Sequence, residues 1–210
     1  MIICCHSEIP REWDKQELSN KLDLLSPALQ EAALRKRRLI DKQLFIAGKL
    51  LVREVLKEFD LEHHSFHDLE YNTHKRPYFN AGVDFNISHS GNRVVCCGTV
   101  QGVIGIDIEH VKVINLDDYP DFFTQNEWDF IHSHADKFDG FYKIWTRKEA
   151  VLKAIGTGFY TPLNSVDVVE DTVEYDGLIY YIQSVEIAGG YPCHIASTVQ
   201  DEIKLMPVEL

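Results

Sequence analysis

The sequence predicts an α+β chain made of two consecutive parts, each with its own helices and its own strands. Three observations lead there. A helical repeat runs from Pro27 to Phe59, strand-like runs fill the middle of the chain, and from Thr124 the order helix-then-strand begins again. The seam falls near residues 100–104. It separates an N-terminal α+β part over 1–102 from a C-terminal α+β part over 103–210.

The elements follow in chain order. "MIICCHSEIP" reads as a first strand, because its apolar run is short and lacks the basic flank of a secretory signal. Leu29, Ala33, Ile40, Leu44, Ala47, Leu51 and Val55 recur at three- and four-residue steps, which marks one face of a helix. Ser26-Pro27 supplies its start. Gly48 inside it signals either a close packing contact or a bend. Residues 60–82 are polar, carry Pro77 and Gly82, and read as a connection with short extended pieces. Strands are predicted over 84–88, 92–100 and 102–109. "TQNEWDFIHS" (124–133) is a helix opened by Thr124, with Glu127 completing a capping box. A stronger helix runs from Phe138 to Ile155 and stops at "GTG" 156–158. Strands are expected near 165–170, 178–185, 192–198 and 202–208.

Bulk properties narrow the function. The net charge of −12 argues against a general nucleic-acid binder, which needs a basic field. An acidic partner must therefore meet a local basic patch, and "RKRR" (35–38) and "HKR" (74–76) are the candidates. No apolar run is long enough to span a bilayer, so no membrane association is expected and the cytoplasm is the expected location. The five cysteines, Cys4, Cys5, Cys96, Cys97 and Cys193, include no CxxC and are expected to be reduced and buried.

Four constellations carry chemistry. In "IGIDIEH" (104–110), Asp107 and Glu109 share one face of a strand whose other face is filled by Ile104, Ile106 and Ile108. Two carboxylates there either reach solvent or hold a cation, and a magnesium ion with oxygen ligands suits them. Gly102 and Gly105 leave room for a ligand or for another backbone. In "WTRKEAVLKAIGTG" (145–158), Lys148 falls inside the apolar stripe of Phe141, Trp145, Leu152 and Ile155, where it must snorkel or find a carboxylate. Glu149 and Lys153 lie one turn apart, either as a surface salt bridge or as a third acid and a charge that complement Asp107 and Glu109. In "FNISHSG" (85–91), Asn86, Ser88, His89 and Ser90 gather at a strand end, as turn formers or as holders of phosphate oxygens. In "THKRPYF" (73–79), Lys75 and Arg76 precede Pro77, which holds Arg76 extended.

These segments, in this order, resemble the 4′-phosphopantetheinyl transferases, and within them the two-lobed type that activates peptide and polyketide synthases. "IGIDIE" matches the family's G-[I/V]-D block, and "WTRKEAVLK" matches its W-x-x-K-E-x-x-x-K block. "FNISHS", the Lys/Arg-Pro element and the helix with "GKLLVRE" (48–54) also match, so the likeness runs from about residue 35 to 170. The resemblance implies a pseudo-dimer of two similar α+β lobes with coenzyme A, the co-substrate, in the cleft between them. It implies Mg²⁺ held by Asp107, Glu109 and Glu149. Ser88, His89 and Lys153 would contact the pyrophosphate, and Lys75-Arg76-Pro77 the adenylate end. Glu149, Lys153 and Asp107 would be the catalytic residues, with the proton acceptor left open between Glu149 and a water. The partner would be an acyl- or peptidyl-carrier protein, and the enzyme a monomer.

Two departures stand out. Many members have Gly-Lys-Pro where this chain has Lys75-Arg76-Pro77. Where they hold the 3′-phosphate with basic or hydroxyl residues, this chain has Leu29, Ala32, Ile40 and Phe45, with Arg35, Arg37, Arg38 and Lys42 nearby. An acidic enzyme must dock an acidic carrier protein locally, and residues 111–126, with Val111, Lys112, Val113, Tyr119, Phe122 and Phe123, are the expected dock. Three alternatives compete. They are a coenzyme A-binding protein without transfer, a Mg-dependent phosphohydrolase of a nucleotide, and a metal-binding module on His63, His64, His67 and His74.

Overall fold

The computed structural model describes residues 1–157 and 161–210. The chain divides into two units. One comprises Met1–Val100 with Ile203–Leu210, the other Gln101–Glu202.

The first unit carries a mixed four-stranded sheet. Strand β1 (Ile2–Glu8) pairs antiparallel with β5 (Arg93–Thr99), β5 pairs antiparallel with β4 (Asp84–Ser90), and β10 (Ile203–Pro207) lies parallel to β1. The sequence places 203–210 with the second part of the chain. Instead these residues return to the first unit, because the open edge of β1 offers unpaired backbone groups that β10 satisfies. A hairpin of β2 (Leu69–Tyr71) and β3 (Pro77–Phe79) accounts for the extended pieces expected in the connection.

The helical repeat from Pro27 to Phe59 forms two helices, not one: α2 (Pro27–Leu34) and α3 (Leu39–Glu58). The break is the run of four cations at 35–38. Arg38 turns out of the helix and binds Asp41 of the next one through two nitrogens. Helix α3 lays Leu44, Ala47, Leu51 and Val55 on the sheet against Ile3, Cys5, Val94 and Cys96. Gly48 is a packing contact, not a bend, since a β-carbon there would stand 3.0 Å from Ile87 Cγ2. A further helix, α1 (Lys15–Leu22), rests only Leu18 and Leu22 on the core and buries no residue fully. Its signal is the capping box of Asp14 and Glu17, which the periodicity does not register.

The second unit is an antiparallel sheet in the order β6 (Ile104–Ile108), β9 (Cys193–Ser197), β8 (Leu178–Ser184), β7 (Thr172–Tyr175), with α4 (Gln125–Ser133) and α5 (Lys137–Ile155). Helix α4 opens with the capping box expected of Thr124 and Glu127. Helix α5 ends on left-handed Gly156, and Gly158 of the expected stop lies outside the described residues.

The strand expected near 165–170 does not form. That segment's backbone is satisfied by side chains instead. Lys148 Nζ donates to the carbonyls of Leu163 and Val166, and the Arg147 guanidinium donates to those of Val168, Val169 and Glu170. Glu127 Oε1 accepts from the Val168 N–H. With both Val166 and Val168 buried, the apolar residues that suggest a strand are anchors of a strap.

Candidate active site

Strand β6 turns the face of Gly105 and Asp107 to α5, and Glu109 follows just past its end. Gly105 shows why the approach is so close. A β-carbon there would stand 2.1 Å from the Ala150 carbonyl and 2.5 Å from the Ala154 nitrogen, so the room that glycine leaves is filled by helix backbone and not by a ligand. Gly102 has a positive φ of 72° and would meet Thr198.

Two residues after Gly105, on the same face, Asp107 is 4% exposed and takes a 2.6 Å ion pair from Lys153 Nζ. Lys153 also donates to the Ile106 carbonyl at 3.1 Å. Glu149 lies one helical turn before Lys153. Its carboxyl is pushed up by burial first and by Asp107 next, with Lys153 opposing and Glu109 adding to the rise. Glu109 also bears on Tyr142, whose hydroxyl is pushed up chiefly by burial and then by that charge. The structure therefore brings Asp107, Glu109, Glu149 and Lys153 together.

Asp107 and Glu109 both bear on Glu149, and carboxylate oxygens are the donor type that a hard divalent cation takes. Among the described residues no three His, Cys, Asp or Glu side chains already converge as ligands, and the ammonium of Lys153 is the positive charge placed against Asp107.

Lys148 belongs to a different system. It is fully buried and paired at 2.7 Å with Glu127, also fully buried. The carboxylate it needs comes from the capping box of α4, a role that hides Glu127 from a reading of the sequence. A second pair that the sequence does not single out lies beside the acids. His194 sits directly across from Asp107 in the β6–β9 ladder and makes a 2.8 Å hydrogen bond with Thr146 Oγ1. Burial, then Arg147, lowers its imidazole to about 3, so it is neutral at physiological pH.

In the first unit, Ser88 and His89 lie within β4 rather than in the turn, which is formed at Gly91-Asn92. As neighbours in a strand they point to opposite faces, Ser88 buried and His89 exposed. Arg76 folds onto β4, its Nη2 2.7 Å from Asp84. Lys75 has φ = 64°, a left-handed conformation that favours glycine. Asn72 holds the β2–β3 turn by accepting from the His74 and Arg76 N–H groups. Lys75→Gly is expected to stabilise the protein by about 1 kcal/mol, read as a rise in urea midpoint at constant m-value.

Of the cations near the first helices, Arg35 pairs with Glu31 and Arg38 with Asp41, while Leu29, Ile40 and Phe45 belong to the core or pack on it. His63, His64 and His67 lie in a turn region, not on a helix face.

A family model of the 4′-phosphopantetheinyl transferase superfamily matches residues 103–195, the stretch holding Asp107, Glu109, Glu149 and Lys153. The 4′-phosphopantetheinyl transferase gsp of Aneurinibacillus migulanus is 31% identical, covering 94% of this chain and 86% of its own length. The chain belongs to this superfamily. The 4′-phosphopantetheinyl transferase Sfp of Bacillus subtilis is 32% identical over 88% of the chain and 81% of its own. A further phosphopantetheinyl transferase, ffp of Bacillus subtilis, is 32% identical with the same two coverages, 88% and 81%. Within "WTRKEAVLK" (145–153) the two lysines have different partners. Lys148 braces the fold through Glu127, and Glu149 and Lys153 face the acids of β6.

Proposed function

We propose that this chain transfers the 4′-phosphopantetheine group of coenzyme A to a serine of an acyl- or peptidyl-carrier protein, releasing 3′,5′-ADP. The observation that carries the reading is the Asp107–Lys153 pair beside a Glu149 carboxyl pressed by Asp107 and Glu109, all on the superfamily's two sequence blocks.

Asp107, Glu109 and Glu149 are the residues that would hold magnesium, which when bound neutralises charge on the phosphoryl group under attack. Lys153 sets a fixed positive charge beside the breaking bond. Glu149 accepts the proton of the serine hydroxyl, directly or through water. The serine oxygen bonds to the β-phosphorus, and the bond to the departing 3′,5′-ADP breaks. One of Ser88 and His89, which face opposite sides of β4, takes the pyrophosphate, and the Lys75-Arg76-Pro77 turn takes the adenylate end. In this reading the two parts of the chain act as a pseudo-dimer of similar α+β lobes with coenzyme A in the cleft between them. The enzyme works as a monomer in the cytoplasm.

The deciding experiment is intact mass of an apo carrier protein after incubation with coenzyme A, Mg²⁺ and this protein, with and without chelator. A gain of one phosphopantetheine that the chelator abolishes is expected. Coenzyme A binding without any gain across several carrier proteins overturns transfer. Release of 3′,5′-ADP in the absence of carrier protein would instead mark a phosphohydrolase.

Residues 111–126 remain the proposed dock, with one change of emphasis. Phe123 is in the core of the second unit, packed edge-on to Trp128 and Phe141, so charging it would damage the fold. Val113 is 83% exposed and is the better probe. Val113→Glu is expected to raise the carrier-protein KM about tenfold, equivalent to about 1.4 kcal/mol, with the coenzyme A KM unchanged. An equal rise in both would sink the docking assignment.

A further inference from the structure

Four of the five cysteines meet across two neighbouring strands. The β1–β5 register sets Cys4 opposite Cys97 and Cys5 opposite Cys96, and all four are free and buried. The two pairs are not equivalent. Ile9 N–H donates to the Asn92 carbonyl, one rung beyond the Glu8–Arg93 pair, so rungs alternate from a hydrogen-bonded one at Ile9–Asn92. Counting back in twos makes Cys5–Cys96 hydrogen-bonded and Cys4–Cys97 not. The other side of β1 agrees, since the His6 carbonyl accepts from Val208 N–H, away from β5, and Cys4 shares that orientation.

In a non-hydrogen-bonded pair the α-carbons lie about 4.5 Å apart and the β-carbons at the near end of the cross-strand range. That meets the requirement for a disulfide, whose β-carbons stand about 3.5–4.5 Å apart, whereas a hydrogen-bonded pair holds them wider. The faces differ too. Cys5 and Cys96 belong to the core under α3, where the Cys96 thiol is directed at the Cys97 carbonyl. Cys4 and Cys97 lie on the opposite face, in one rung with Asn86 and two rungs from that of His6, Val95 and Ser88, the next on the same face.

We propose that Cys4 and Cys97 form an oxidisable dithiol, a covalent modification site that closes as a cross-strand disulfide on the sheet face shared with Asn86 and Ser88. The oxidant is of the peroxide class. Two S–H bonds break and one S–S bond forms. The two electrons and two protons reduce one peroxide to two waters. The reaction is slow in the native protein, because burial pushes the Cys4 thiol up to about 12 and Cys97 well above its ordinary value. Opening of the sheet therefore limits it. This site is independent of the proposed transfer reaction.

The test is hydrogen peroxide treatment of the full chain, under native conditions and in mild urea, followed by thiol counting and peptide mapping without reduction. Loss of two of the five thiols and a single Cys4–Cys97 linkage is expected. Cys97→Ala should abolish the linkage, and Cys96→Ala should retain it. Dithiothreitol should restore all five thiols. A Cys5–Cys96 linkage, or thiol loss with equal rate in the Cys97→Ala protein, overturns the assignment. So does failure of any linkage to form while circular dichroism reports partial opening in mild urea.

Discussion

Asp107→Asn is expected to lower kcat for carrier-protein modification by a hundred- to a thousandfold, about 3–4 kcal/mol of transition-state stabilisation. The size of the effect follows from where the side chain sits. Asp107 is almost wholly buried, is held by Lys153 at 2.6 Å, and is the second-largest influence raising the Glu149 carboxyl, after burial itself. Replacing it with an isosteric amide removes one unit of negative charge and leaves the packing nearly unchanged. Lys153 keeps its 3.1 Å bond to the Ile106 carbonyl. The fold should therefore survive, with circular dichroism as in the parent. Glu149 loses a repulsive neighbour, so its carboxyl falls back toward the ordinary range. The check is kcat against carrier protein at saturating coenzyme A and Mg²⁺, beside thermal unfolding. Parent-level kcat in a folded variant would remove Asp107 from the reaction. A loss shared by the coenzyme A KM alone would make it a binding residue.

How far the sequence reveals this site depends on which kind of contact carries the signal. Asp107 and Glu109, at the end of β6 and just past it, are legible because an extended backbone puts i and i+2 on one face whatever the rest of the fold does. Glu149 and Lys153 were legible because helical spacing is equally local. The partner of Lys148 was not, since Glu127 lies on another helix and its local pattern already satisfies a capping box. The same reason explains the strap at 163–170. Its apolar residues look like a strand, and only tertiary contacts from Arg147 and Lys148 decide that its carbonyls bond to side chains. The return of β10 to β1 is a pairing over nearly the whole chain length, which no local pattern encodes. The break at 35–38 was within reach, because four adjacent cations stand against a continuous helix, yet the apolar period on both sides ran through it.

Lys148→Met is expected to destabilise the protein by about 3–5 kcal/mol, lowering Tm by about 10 °C or more. The lysine and Glu127 are both fully excluded from water and 2.7 Å apart. Burial alone lowers the Lys148 ammonium, with Glu127 opposing, so the charge persists there because the carboxylate answers it. Methionine fills most of the volume but leaves the Glu127 carboxyl buried without its counter-charge, with only the N–H of Val168 and the Thr124 backbone to satisfy it. It also strips the carbonyls of Leu163 and Val166 of their donor, so the strap loses two of its anchors in one substitution. Removing both charges, in Lys148→Met with Glu127→Gln, should recover part of the loss, because no uncompensated carboxylate then remains buried. Urea and thermal unfolding of the two single variants and the double variant form the cycle that measures this. Strict additivity would mean that the pair is not coupled. If Lys148→Met were as stable as the parent, the ion pair would not be the brace that holds α4, α5 and the strap together. Lys148, beside Glu149 in the chain, would then need another role.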